Sequence, residues 1–150
     1  YHPEGWYTFS RRPWGYGALF MRDIVIPPSW SGTRFVKHIV YSGPKGTGAL
    51  PHVHGAALNI LVSGTKKWVM FDATTAAGER LQTRFYKDYP YGTELNTVEW
   101  LYREQGALDS HPESVVEITQ HRGEGVVVPK GWSHAVMNTE ETLGLVLEFE

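Results

Sequence analysis

The chain has 150 residues, a formal charge of −2 and no cysteine, which is read as one domain spanning 1–150, able to bury roughly two thirds of its unfolded surface. The missing cysteines exclude a disulfide framework and thiolate-ligated zinc or iron–sulfur sites. The charge balance gives no basic footprint, and the pairs Arg11-Arg12 and Lys66-Lys67 are too short to form a nucleic-acid surface.

No apolar stretch is long enough to cross a bilayer, so no membrane segment is expected. The chain begins at Tyr1 without methionine and stops at Glu150 just after an apolar run, so both ends read as cut. Compartment and oligomeric state are left open.

In chain order, short β-type runs separated by Gly and Pro predict strands over 34–41, 57–63, 67–71, 114–119, 125–128, 134–138 and 142–148. Several are apolar on both faces and should be covered on both sides. Between the third and fourth runs, residues 96–106 read as a helix. Asn96 is its N-cap, Glu99 follows three residues later, and Gly106 is placed to end it. Loops are expected at 27–32, 42–46, 90–92 and 129–131, where Pro and Gly cluster. The pattern is that of an all-β barrel or sandwich with a helical insertion.

Two segments carry the chemistry. Residues 47–71 hold His52 and His54, and then Lys66 fourteen residues after the first histidine; residues 123–138 hold His134. Two histidines one residue apart on an extended strand face the same side, and a barrel can bring a distant strand beside them. His52, His54 and His134 together can then form a three-histidine site. Imidazole suits Fe, Zn, Cu and Ni, so metal binding is expected whatever the reaction. Strand parity places Lys66, Trp68 and Met70 on one face and Lys67 on the other. His38, His111 and His121 lack such a context, and Asp72 and Glu124 read as turn or surface carboxylates.

The Gly-x-Lys-x-Trp run at Gly64, Lys66 and Trp68, followed by Val-Pro-x-Gly-Trp-x-His-x-Val-x-Asn from Val128 to Asn138, resembles the JmjC domain of the cupin superfamily. The resemblance also takes in Tyr7-Thr-Phe, residues 23–27 and the helix around Trp100, nearly the whole chain. It implies a mostly β fold, a double-stranded β-helix (jelly-roll or cupin barrel) with a short helical insertion between the metal-ligand strands. It further implies Fe(II), or another divalent metal, with 2-oxoglutarate as co-substrate. By position, His52 is the first ligand, His54 stands in the acid's place and His134 is the distal ligand. Lys66 matches the lysine that pairs with the distal carboxylate of 2-oxoglutarate, and Thr47, Asn59 and Tyr7 resemble hydrogen-bonding residues around it. Asn138 matches a motif position without an assigned contact.

The departure is His-x-His where the family has His-x-Asp or His-x-Glu, a two-histidine-one-carboxylate set being usual for non-haem Fe(II) oxygenases. A subset of small JmjC proteins carries His-x-His-Gly in this region, as this chain does from His52 to Gly55. A short insertion after Thr47 is also needed to bring His52 to the first ligand's place. The resemblance implies an oxygenase that couples oxidative decarboxylation of 2-oxoglutarate to hydroxylation of a protein or peptide side chain. Two alternatives stand beside it: a degenerate JmjC scaffold or protein-binding module that still holds a metal, and a three-histidine cupin dioxygenase or metal-binding protein that does not use 2-oxoglutarate.

Overall fold

The computed structural model describes residues 8–10, 22, 24–26, 28–89 and 96–150. Among them the chain forms β1 (Thr8–Ser10), β2 (Phe35–Gly43), β3 (Gly48–His52), β4 (Ala57–Ser63) and β5 (Thr65–Asp72). Helices α1 (Ala76–Asp88) and α2 (Thr97–Asp109) follow, and then β6 (Val115–His121), β7 (Gly125–Val128), β8 (Trp132–Asn138) and β9 (Thr142–Phe149). A 3-10 turn spans Pro28–Trp30.

Two antiparallel sheets result, one in the order β1-β2-β9-β4-β7 and the other β3-β8-β5-β6. Sequence neighbours β4 and β5 lie in different sheets, as do β7 and β8, which is the jelly-roll wiring that closes two sheets over one interior. The turn from β4 to β5 depends on Gly64, whose φ of 86° lies in the left-handed region and whose added Cβ would stand 2.1 Å from the Glu141 carbonyl oxygen.

Strand β5 shows why apolar residues occupy both of its faces. Val69 and Phe71 point outward beneath the helices, packing with Leu81 and Phe85 of α1 and Trp100, Leu101 and Leu108 of α2. The rings interlock edge to face, Phe71 to Phe85 at 5.8 Å and Phe85 to Trp100 at 5.1 Å, an arrangement favoured by the ring quadrupoles. Trp68 and Met70 point inward and meet Val126, Val128 and Val136. On the far side, Leu58, Leu145 and Leu147 are covered by Ile24, Ile26, Trp30, Phe35 and Phe149.

The seven predicted strands are all present. Three elements were not anticipated, the short β1 among them. Strand β3 contains Gly48 and Pro51, which break the β pattern, and α1 presents only Leu81 and Phe85 as large apolar residues toward the sheet. The insertion between the ligand strands is therefore a pair of 13-residue helices rather than one short helix. Asn96 caps α2 as expected, accepting from the Glu99 backbone N–H at 2.9 Å. Gly106 does not end that helix: the chain stays helical to Asp109, and the Ser110 N–H donates back to the Gly106 carbonyl.

Candidate metal centre and interior pocket

Strand β3 enters its pairing with β8 at Gly48 and carries a register shift between Ala49 and His52, after which His52 stands directly opposite His134. The partner pairs are three residues apart on β3 and two on β8, so β3 holds one extra residue, a bulge that re-aims the following side chain. His54 is not on the same strand as His52, as the alternation argument assumed, because β3 ends at His52 and His54 lies in the loop beyond. That loop still turns its imidazole inward.

The ligand atoms of the three histidines lie within 4.8 Å of one another, and the ring centroids are 5.5 Å (His52 to His54), 4.2 Å (His52 to His134) and 4.6 Å (His54 to His134) apart. Each Nδ1 faces a backbone carbonyl: Leu50 for His52 at 2.8 Å, Gly55 for His54 at 2.7 Å and Trp132 for His134 at 3.3 Å. A carbonyl only accepts, so Nδ1 carries the proton and Nε2 keeps the lone pair for a metal. Burial, and then the neighbouring imidazoles, pushes His134 down to about 2. Burial also lowers His52, opposed by the Leu50 carbonyl. Neutral imidazoles with a fixed tautomer are ready to bind, and the donor set fits iron as well as zinc, copper or nickel. Among the described residues no carboxylate joins the cluster.

Deeper in the barrel, Lys66 is wholly buried and shares its face with Trp68 and Met70, whereas Lys67 points outward to Glu117 at 2.8 Å. Burial pulls the Lys66 ammonium down to about 7, and its Nζ sits 3.7 Å from the centroid of the Tyr41 ring. Asn59 is buried on the opposing sheet, its Oδ1 accepting from the Tyr41 hydroxyl at 2.7 Å. Gln120, also wholly buried, accepts from Trp68 Nε1 at 2.9 Å and donates to the Asn59 and Glu124 carbonyls at 3.1 and 2.9 Å. It clamps the two sheets around the lysine.

Thr47 is held differently. Its hydroxyl donates to the Pro44 carbonyl at 2.7 Å and accepts from Asn138 Nδ2 at 3.1 Å, tying a turn to the end of β8. Tyr7 lies outside the described residues. Asp72 accepts from the Thr74 backbone N–H and hydroxyl, and Glu124 accepts from the His121 backbone N–H, so both serve turns. His111 faces the Ala107 carbonyl at the end of α2. The sequence reading did not single out Tyr41 and Gln120, because a tyrosine and a glutamine in β-type runs carry no spacing signal.

Residues 40–149 match the family model described as JmjC domain, hydroxylase. The chain belongs to the JmjC family.

Within it, the chain is similar to the 2-oxoglutarate and iron-dependent oxygenase JMJD4 of Mus musculus, 30% identical over 110 residues, covering 71% of this chain and 24% of that protein. The Homo sapiens protein of the same name is 32% identical over 110 residues, covering 71% and 25%. The arginine-specific demethylase JMJ22 of Arabidopsis thaliana is 26% identical over 114 residues, covering 71% and 22%. The matched part of this JmjC chain spans about a quarter of the length of those relatives. No helix among the described residues is long and apolar enough to cross a membrane.

Proposed function

We propose that this JmjC domain is an Fe(II)- and 2-oxoglutarate-dependent oxygenase of the hydroxylase type, acting on a protein or peptide side chain. The observation that carries this reading is the pairing of three converging imidazoles with a wholly buried lysine on the same barrel interior. A buried ammonium is costly to keep, and a dicarboxylate chelated at the mouth is a ligand that would offset the cost. Residues 1–150 are taken as a single domain.

In this reading His52, His54 and His134 hold the metal through Nε2. An Fe(II) held by these three imidazoles would supply the oxidising chemistry that a 2-oxo acid co-substrate and oxygen require. Lys66 pairs with the distal carboxylate, a charge-assisted contact worth about 1.5–3 kcal/mol net. Asn59 presents its Nδ2 end as a second donor, and Trp68, Met70, Val126, Val128 and Val136 keep water from that part of the interior. Thr47 can contribute only by giving up its bond to Pro44, and Tyr7 is carried by resemblance alone. The name of the plant relative, an arginine-specific demethylase, supports a protein side chain as the class of substrate.

His54 in the acid's place favours a second reading, a scaffold or protein-binding module that holds metal without turnover. The experiment is succinate release from 2-oxoglutarate in air by the Fe(II)-loaded chain, with His134→Ala as control. Release lost in the control supports the oxygenase. Metal binding without succinate supports the scaffold. Oxygen consumption that is independent of 2-oxoglutarate supports a three-histidine dioxygenase of another kind.

A further inference from the structure

The barrel interior around Lys66 holds, besides Gln120, another residue that the motifs do not account for. Tyr41 on β2 is 1% exposed, and it meets both of the donors assigned above to the co-substrate. Its ring face lies against the Lys66 ammonium, 3.7 Å from Nζ, closer than the Trp68 ring at 5.5 Å. Its hydroxyl donates to Asn59 Oδ1 at 2.7 Å. We propose that Tyr41 is a positioning residue for the co-substrate pocket, seating the Lys66 ammonium on its ring and fixing the amide of Asn59 through its hydroxyl.

The packing supports this role over simple space filling. Tyr41 stands opposite Gly144 of β9, and a Cβ added at Gly144 would lie 2.1 Å from the Tyr41 hydroxyl oxygen and 2.3 Å from Cζ. The tip of the ring therefore lies over Gly144 of β9, and only a glycine leaves it that room. A tyrosine pressed against a strand cannot swing away, so its face is a fixed seat for a cation. Burial raises the phenol well above its ordinary value, so the hydroxyl stays protonated and remains a donor. With Oδ1 of Asn59 engaged, the Nδ2 end of that amide is left to meet an acceptor. Both groups are then held in place before any ligand arrives, and a ligand lacking that carboxylate gains nothing from them.

The inference rests on the proposed 2-oxoglutarate role of Lys66, and its test separates the two. The probes are 2-oxoglutarate and 2-oxobutyrate, which share the chelating 2-oxo acid and differ in the distal carboxylate. Both are titrated calorimetrically, without oxygen, into the Fe(II)-loaded chain, and into Tyr41→Leu, Tyr41→Phe and Lys66→Met. Tyr41→Leu should weaken 2-oxoglutarate by about 10–30-fold, the range expected for a desolvated cation–π contact plus a hydrogen bond, and leave 2-oxobutyrate and metal affinity within about twofold. Tyr41→Phe keeps the ring and the packing, and should cost 2-oxoglutarate about 3–10-fold. It keeps the proposal refutable even if the leucine variant does not fold.

Equal weakening of both acids would make Tyr41 a packing residue and overturn the inference. Unchanged 2-oxoglutarate affinity in Tyr41→Phe and Tyr41→Leu, beside a loss in Lys66→Met, would also overturn it while leaving the role of Lys66 intact. A wild-type chain that does not prefer 2-oxoglutarate to 2-oxobutyrate would refute the role of Lys66, and the role of Tyr41 with it.

Discussion

Replacing Lys66 by methionine should stabilise the metal-free chain while weakening its affinity for 2-oxoglutarate. The side chain is wholly buried, and burial lowers its pKa from 10.5 to about 7. A folded-state value below the unfolded one means that the unfolded chain binds the extra proton between those pH values. The penalty is fully present below about 7 and disappears as pH rises toward 10.5. At about 1.36 kcal/mol per pH unit, the difference corresponds to about 5 kcal/mol. The Tyr41 face returns up to about 2 kcal/mol of it, which leaves a net cost of about 3 kcal/mol near pH 7. Methionine has similar length and no charge, so Lys66→Met should raise the midpoint of thermal unfolding by about 6–12 °C for a chain of this size. The same change removes a charge-assisted contact, and 2-oxoglutarate affinity should fall by about 10–150-fold. Thermal unfolding of the metal-free proteins at pH 7, with calorimetric titration of the Fe(II)-loaded ones, reads both effects. A variant less stable than wild type would show that Lys66 is a structural part of the core, and the functional reading of its burial would fail.

Three further outcomes follow from the same geometry. His54→Asp restores the carboxylate usual in such sites and should keep or increase 2-oxoglutarate turnover, measured as succinate; a complete loss of metal in that variant would sink the assignment of His54. The metal-free chain should lose stability as pH falls below about 6.5, by about 1.4 kcal/mol per pH unit from His134 alone, because its folded-state value of about 2 lets only the unfolded chain take up the proton. His52 adds in the same direction. Urea unfolding at pH 5 and 7 checks this, and a His134→Asn chain with an undiminished pH slope would contradict it. Trp100→Ala removes a wholly buried ring packed on Phe85 and should cost about 3–5 kcal/mol in urea unfolding, whereas a loss below about 1 kcal/mol would mean that the helices are not anchored through that ring.

The strands were legible because β-branched and apolar runs bounded by Gly and Pro are a local signal, and Ala57–Ser63 and Gly125–Val128 coincide with their predicted limits. Helix α2 was legible through the cap that Asn96 forms with Glu99. Helix α1 was not, since it buries only a narrow stripe and its start is set by Thr75, which accepts from the Gly78 N–H. The three histidines and Lys66 stood out by spacing, and strand parity placed Lys66 inside and Lys67 outside as found. The bulge before His52, the loop position of His54, and the contacts of Tyr41 with Lys66 and Asn59 depend on pairings between distant strands, which no local pattern encodes. At Thr47 the motif position implies a ligand contact, while the structure gives its hydroxyl to Pro44 and Asn138.

Calorimetric titration of 2-oxoglutarate into the chain without oxygen, with and without Fe(II), decides whether the barrel holds the co-substrate at its metal. Binding should require the metal, be lost in His134→Ala and be weakened in Lys66→Met. Tight Fe(II) binding with no 2-oxoglutarate affinity would contradict this and leave the barrel a metal-holding scaffold or a cupin of other chemistry.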